Sequence, residues 1–296
     1  MVENNPLISV ILPTFNRAGV LPRAIDSVLC QSYKNIELIV VDDGSTDDTC
    51  QLLEQYGNKL ICIKQHNRGV SAARNTAIRI SKGKYLAFID SDDKWMESKL
   101  EEQVRYFNNY EQDNLALVCT DVDSIDINGA HQKRRRFMPR NSSCVLDVVD
   151  VFRDPYLGLP TVMIRADLVN KDSVFDESLK SAEDIDLYLR LMINRKAGYI
   201  HKKLVDVYQS SNSLSASITS YDDNIRVITG FLKQHKELFV GYESEINQLM
   251  HGVFMDYAKT LLWKKKGRAS REQSRKALHY KLSAGAVFLY LKSYIK

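Results

Sequence analysis

Three aspartates fall within four positions of the segment FIDSDD, namely Asp90, Asp92 and Asp93, directly after the apolar run YLAFI. Carboxylates crowded in this way repel one another and raise each other's pKa, so a fold that keeps them together needs an offsetting charge. Hard oxygen ligands of this kind suit Mg²⁺ or Mn²⁺, held by one or two carboxylates with other positions left to water and phosphate oxygens. If the preceding strand stays extended to its end, Asp90 and Asp92 point the same way. The bland use of the same residues is to end the strand and cap a helix near Trp95.

Other residues could serve the same chemistry. Asp42 and Asp43 in VVDDGSTDDT can accept hydrogen bonds from a base or a ribose hydroxyl, or can form a turn and helix cap. PTFNR, which contains Pro13 and Arg17, offers Phe15 as a flat face and Thr14 as a hydrogen-bonding group, and Arg74 in SAARN can meet a ring edge or a phosphate. Glu183 and Asp184 open the run SAEDIDLYLRL, where Ser181 and Asp184 also fit a capping box. A helix N-terminus favours the ionised carboxylate, so Asp184 is expected to be deprotonated and a weak base. His66 and His201 are isolated and receive no role.

These residues need a scaffold that brings them to one edge. LISVILP, IELIVVDD, KLICIKQ and KYLAFID read as strands. Three helices lie between them. The first carries Val20, Leu21, Ala24, Ile25 and Val28 at helical spacing with Pro22 near its start; the second is capped by Ser45 or Thr46 and ends at Gly57; the third runs from Ser71 to Lys82. That alternation predicts an α/β unit with a wound, mostly parallel sheet, which binds ligands beyond the carboxyl ends of its strands. LALVCTDVDSID and TVMIR read as further strands, EDIDLYLRLMINRK as a helix and YIHKKLVDVYQ as a strand, and beyond Tyr221 only helices are expected. Neither a phosphate-binding G-x-x-x-x-G-K-[ST] loop nor a G-x-G-x-x-G fingerprint occurs.

Taken in order, SVILPTFNR, ELIVVDDGSTDDT, NRGVSAARNTAI, YLAFIDSDDKW and AEDIDLYLRL closely resemble the family 2 glycosyltransferases of GT-A fold over residues 7 to about 215. The resemblance implies a catalytic domain over 1–220, with a nucleotide-sugar part at 1–115 and an acceptor part at 116–220, and a helical extension over 221–296. It implies that Thr14 and Phe15 lie along the base of a UDP-sugar, that Asp43 hydrogen-bonds that base and Arg74 approaches it, and that Pro13 and Arg17 belong to the same nucleotide-sugar site. By the same resemblance Asp90 and Ser91 lie beside the ribose and the metal's water shell. Asp92, with Asp90, would hold a divalent cation (Mn²⁺ or Mg²⁺) on the diphosphate, and Asp93 would support them from behind. Asp184, beside Glu183, would be the base that deprotonates an acceptor hydroxyl in a single displacement with inversion. Some relatives carry a histidine metal ligand in a Y-R-x-H segment, whereas VYQSSNSLSAS here has none. The activity implied is transfer of a hexose or N-acetylhexosamine to a saccharide, free or lipid-linked, in bacterial surface polysaccharide synthesis. A nucleotidyltransferase acting on sugar phosphates and a non-catalytic saccharide-binding scaffold are the rival readings.

The 296 residues carry a formal charge of +4, from 41 basic and 37 acidic side chains, which gives no reason to expect a nucleic-acid partner. Five cysteines without a C-x-x-C pair fit a reduced, cytoplasmic setting. No signal peptide is evident, and no apolar run reaches the roughly 18 residues that span a bilayer. Positive charge is local. HQKRRRFMPR, residues 131–140, is either a solvated loop or a phosphate contact. The C-terminal bases from Lys264 to Lys281 precede the apolar AGAVFLYL, which either packs on the protein, pairs with another chain, or rests on the inner face of the plasma membrane.

Overall fold

The computed structural model of the chain describes residues 5–127, 129–132, 144–153, 157–208 and 218–294. Most of the basic loop at 131–140, and the segment aligned with the metal-ligand histidine of some relatives, lie outside the described residues. The N-terminal elements are β1 (Ile8–Thr14), α1 (Leu21–Leu29), β2 (Ile36–Asp42), α2 (Thr49–Gln55), β3 (Ile61–Lys64), α3 (Val70–Ile80) and β4 (Tyr85–Phe88). Their strands pair in parallel in the order β3-β2-β1-β4. Every residue of β1 and β4 is buried, as near-continuous apolar runs require of strands covered on both faces. α1 buries Leu21, Ala24, Ile25 and Val28, with Pro22 in its first turn, where a missing N–H leaves no intrahelical bond unmade.

Next come β5 (Lys94–Trp95), α4 (Lys99–Asn109), β6 (Leu115–Ile125), β7 (His131–Gln132), β8 (Val145–Leu146), α5 (Val148–Arg153), β9 (Met163–Arg165), α6 (Glu183–Leu191) and β10 (Lys196–Tyr208). The sheet continues β4-β9-β6-β10-β5, with β7 on β6 and β8 on β10. β9 runs antiparallel to both β4 and β6, whereas the long β6–β10 ladder is parallel. The result is the expected α/β architecture, a wound and mostly parallel sheet flanked by helices, here with an antiparallel strand at its centre. Three of the local readings need correction. β5 was not expected. α6 stops at Leu191 instead of reaching Lys196, because Asn194 adopts a left-handed conformation (φ 56°) and turns the chain into β10. α2 is not capped by Ser45 or Thr46, which bond to Asn16; Asp47 accepts from the Thr49 backbone and hydroxyl at 3.0 and 2.5 Å instead.

The chain divides into two compact units, one of residues 1–151, 156–179 and 183–213, the other of residues 152–155, 180–182 and 214–296. In the first, a core that includes Leu12, Ile25, Val40, Ala87, Trp95, Leu100 and Val118 packs on the sheet. The second contains α7 (Ile218–Gln234), α8 (Glu243–Trp263), α9 (Gly267–Tyr280) and α10 (Ala284–Lys292), and no strand among its described residues.

At the carboxyl end of β2 the chain turns at Gly44, whose φ is +82° and whose missing Cβ would lie 2.9 Å from the Asn67 backbone nitrogen. Gly44→Ala therefore combines left-handed strain of about 1–2 kcal/mol with a backbone clash, and should lower stability by about 2 kcal/mol or more in urea denaturation followed by circular dichroism. An unchanged midpoint would mean that this loop yields freely.

Candidate active site

β1 lies between β2 and β4, so the loops that leave their carboxyl ends meet on one rim. Pro13 is tolerated in this central strand because its missing N–H falls on the β4 side, where pairing ends opposite Ile11. The β1–β2 register pairs Thr14 with Asp42, which puts the two side chains on one face of the sheet. Thr14 Oγ1 and Asp42 Oδ2 are both buried without a hydrogen-bond partner among the described residues. Phe15 is half-exposed at the rim. Asn16, at φ 52°, ties the first loop to the second by accepting from Thr46 N at 2.7 Å while its own N–H donates to Ser45 Oγ at 2.9 Å.

Asp43, which the resemblance sets against the base, also braces the start of α3. Its carboxylate is buried, and it accepts from Gln65 Nε2 (2.7 Å), Arg68 N (3.0 Å) and Gly69 N (2.8 Å). It thereby satisfies donors at the start of α3 and fixes the helix that carries Arg74. Asp42 Oδ2, on the neighbouring residue, has no partner among the described residues. Sequence reasoning weighed both aspartates of the pair; only the hydrogen-bond inventory distinguishes them.

Arg74 is 5% exposed and bonds to carboxylates from two different segments, Asp90 Oδ1 at 2.9 Å and Glu183 Oε1 at 2.7 Å. Burial alone would lower its pKa, but Asp90 and Glu183 outweigh that and move it upward. The guanidinium also lies 5.4 Å from the Phe175 ring centroid. Asn75, the next residue on α3, exchanges hydrogen bonds of 2.9 Å with the Phe175 backbone in both directions. α3 thus binds the acidic turn and the segment leading to α6 together. This clamp was not evident from spacing, because its partners are far apart in sequence.

The acidic segment is not an extended strand end. β4 stops at Phe88, and Asp93 N donates to Asp90 O at 3.1 Å, so residues 90–93 form a turn that brings the carboxylates together. Trp95 then enters β5, and the next helix starts only at Lys99, which removes the helix-cap reading of these aspartates. Asp92 is partly exposed, with Arg17 at 3.9 Å; burial and the neighbouring Asp90 raise its pKa. Arg23 donates to the Asp92 carbonyl and stacks 3.4 Å from the Tyr208 ring centroid. Ser91 and Asp93 are buried. Asp93 accepts from Tyr208 N at 3.2 Å, and burial together with Asp90 and Asp92 holds its pKa well above the usual carboxylate range.

A buried polar layer supports this turn. Trp95 Nε1 donates to Pro160 O at 2.9 Å, and Gln103 donates to Val118 O (2.8 Å) and Thr161 O (2.9 Å). Lys99 is fully buried, donates to Gln103 Oε1 at 2.8 Å and lies 3.9 Å from the Trp95 ring centroid. Its burial without a carboxylate among those contacts pushes its pKa well below the ordinary amine value.

Across the clamp, α6 begins after Ala182, a non-glycine residue at φ 63°. The Ser181–Asp184 capping box does not form, since Ser181 Oγ is buried without a partner, and Asp184 Oδ1 instead accepts from Ile185 N at 2.8 Å. The expected weak basicity of Asp184 is also corrected: burial, then the adjacent Glu183, push its pKa up to about 7, overriding the helix N-terminus. One turn on, the Tyr188 hydroxyl is buried and has no partner among the described residues. His66 and His201 enter none of these contacts.

No group of three or more His, Cys, Asp or Glu side chains among the described residues forms a protein cage for a metal. The donor set nevertheless fits Mg²⁺ or Mn²⁺ shared with a diphosphate. Asp90 keeps one oxygen outside its pair with Arg74, and repulsion between Asp90 and Asp92 is what a cation would relieve.

With Arg74 removed, Asp90 and Glu183 lose their shared counter-charge. Arg74→Met should cost about 2–4 kcal/mol at pH 7, below the value for a fully buried triad because Asp90 is part-exposed. Arg74→Lys keeps a positive charge between the two carboxylates and should recover part of that loss, so urea midpoints of the two variants check both size and sign; equal deficits in both would refute the electrostatic account.

Comparison with known proteins converges on one family. Residues 9–162 match the profile described as Glycosyl transferase family 2. The putative teichuronic acid biosynthesis glycosyltransferase TuaG of Bacillus subtilis is 30% identical over 227 residues, 73% of this chain and 84% of that one. The UDP-Glc:alpha-D-GlcNAc-diphosphoundecaprenol beta-1,3-glucosyltransferase WfaP of Escherichia coli is 41% identical over 102 residues, 34% of this chain and 41% of that one. Among solved structures, S. aureus TarS 1–349 in complex with UDP-GlcNAc has a TM-score of 0.61 at 20% identity, covering 97% of this chain and 89% of that one.

Proposed function

The chain belongs to glycosyl transferase family 2, and from that premise we propose that it moves a hexose or N-acetylhexosamine from a UDP-sugar to a saccharide acceptor, lipid-linked saccharides included, with inversion at the anomeric carbon. The observation that carries the reading is the Arg74 bridge, which ties Asp90 on the donor side to Glu183 beside the base Asp184. Residues 1–220 form the catalytic domain in this reading, with the donor held by 1–115 and the acceptor by 116–220; residues 221–296 are an extension. TuaG and WfaP, both named for bacterial glycoconjugate synthesis, support a role in surface polysaccharide assembly.

The uracil edge presents one N–H between two carbonyls. Asp42 Oδ2 accepts from that N–H and Thr14 donates to a carbonyl, which satisfies two buried atoms that have no partner among the described residues. Phe15 covers the base, Pro13 holds the strand end, and Asp43 acts through α3. Ser91 and Asp90 face the ribose, and Arg17 faces the diphosphate beside Asp92. A divalent cation held by Asp92 and Asp90 would supply positive charge to the diphosphate as UDP departs.

Asp184 removes the proton from the attacking acceptor hydroxyl. The acceptor oxygen forms its bond to the anomeric carbon as the bond to UDP breaks, so a donor with an α linkage gives a β product. A carboxylate with a pKa about 7 is a better base than an ordinary aspartate, and a substantial share of it is still ionised at neutral pH. Glu183, pinned by Arg74, holds the start of α6 and raises the basicity of its neighbour.

UDP release from a panel of UDP-sugars, with Mn²⁺, Mg²⁺ or EDTA and candidate saccharide acceptors, tests the reading. One donor should be turned over, EDTA should stop the reaction, and Asp92→Ala and Asp184→Asn should each lose about 10²–10⁴ in kcat. Binding without turnover across the panel would point to a saccharide-binding scaffold, and sugar-phosphate consumption with pyrophosphate release to a nucleotidyltransferase.

The pH profile gives a separate check. Asp184 must be ionised to accept a proton, so kcat should fall about tenfold per pH unit below a limb centred near 7 and level off above it. Asp184→Asn should abolish that limb, and a limb that survives the substitution would assign the base elsewhere.

A further inference from the structure

α10 is held firmly on one side and bare on the other. Leu289 packs against Ala258 and Leu262 of α8, Ser283 caps the helix by accepting from Ala286 N at 3.2 Å, and Arg271 of α9 donates to Ser293 O at 2.7 Å. The opposite face presents Val287, Phe288, Leu291 and Tyr294, a single stripe by helical spacing, with Phe288 60% and Leu291 59% exposed. Of the other exposed apolar side chains in the same unit, Trp263 and Leu282 adjoin basic residues. Trp263, 78% exposed, ends α8 directly before Lys264, Lys265 and Lys266, and Leu282 is exposed just after Lys281.

Charge identifies what these side chains meet. Between residues 264 and 294 there are nine Lys or Arg and a single acid, Glu272, itself paired with Lys276 at 3.0 Å. Lys292 lies 5.4 Å from the Phe288 ring centroid and Arg271 4.3 Å from that of Tyr294, so cationic heads sit over the exposed aromatic rings. A second copy of the chain, docked face to face by a two-fold axis, would set like charges against one another around this stripe. An anionic bilayer complements both features at once: apolar side chains enter the acyl boundary, Trp and Tyr suit the interface, and the flanking bases meet lipid phosphates.

We propose that the exposed face of α10, with Trp263 and Leu282, is a docking surface for anionic membrane, on which the helix lies without crossing. No helix among the described residues is long and apolar enough to cross a membrane. The inference does not depend on the donor or acceptor assigned above.

The two tryptophans provide the readout, since Trp95 is 2% exposed and Trp263 is 78% exposed, so a change of solvent on docking is reported by Trp263. The full chain should co-sediment with vesicles of phosphatidylglycerol and phosphatidylcholine, with a blue shift in emission that Trp263→Phe removes. Binding should be weaker to phosphatidylcholine alone and at high salt. Phe288→Ser with Leu291→Ser keeps every charge and alters only exposed positions, and should weaken vesicle binding at least about tenfold, with an unchanged thermal melt and unchanged UDP release on a soluble acceptor. Failure to bind anionic vesicles, or equal binding by the double variant, would overturn the proposal. So would vesicle-independent self-association that the double variant abolishes, which would make this face an interface between copies.

Discussion

A guanidinium removed from water and held between two carboxylates is the constraint on which the catalytic face depends. Asp90 and Glu183, which both face Arg74, offset the cost of burying its charge. α3 must therefore present it at a fixed height, which Asp43 secures through Gly69 and Arg68. The turn at residues 90–93 must hold Asp90 in reach, and α6 must start where Glu183 does. The left-handed conformation of Ala182 at that junction fits this demand: the chain accepts local strain so that Glu183 and Asp184 emerge in the required directions.

The same constraint organises the electrostatics. Negative charge from Asp90, Asp92, Asp93, Glu183 and Asp184 is concentrated on one rim, and Arg74 balances part of it. The remainder appears as raised pKa values at Asp92, Asp93 and Asp184, each traced first to burial and then to an adjacent acid. Beneath this rim the layer of Trp95, Lys99 and Gln103 is polar but contains no acid, so it stiffens the turn through hydrogen bonds without adding to the repulsion.

Much of this was legible in the sequence. The parallel strands β1 to β4 announced themselves because strands buried on both faces need unbroken apolar runs, and the polar residues after them had to share an edge. Family membership was readable from five ordered motifs. The misreadings have physical causes. Alternation of side chains along a strand does not extend into the turn at Asp90–Asp93, so facing carboxylates were inferred from the wrong geometry. Spacing could not reveal that Asp43 braces the start of α3 while Asp42 keeps an oxygen without a partner among the described residues, because the donors to Asp43 arrive from another loop. Ser181 and Asp184 matched a cap on paper, but the positive φ of Ala182 between them breaks the geometry a cap requires. The short β5 exists only because β10 offers it an edge, a tertiary effect that two residues cannot announce.

The reach of the Arg74 bridge also bears on how the protein is made. Arg74 and Glu183 are 109 positions apart, which at ordinary rates of synthesis is roughly 5–20 s of elongation. The first four strands and their helices make mainly local contacts and can assemble as they leave the ribosome. During that interval their edge at β4 waits for β9, and Arg74 has only one of its two counter-charges. The nascent half-site is unfinished until α6 emerges: a chain stalled before residue 183 holds Arg74 against Asp90 alone.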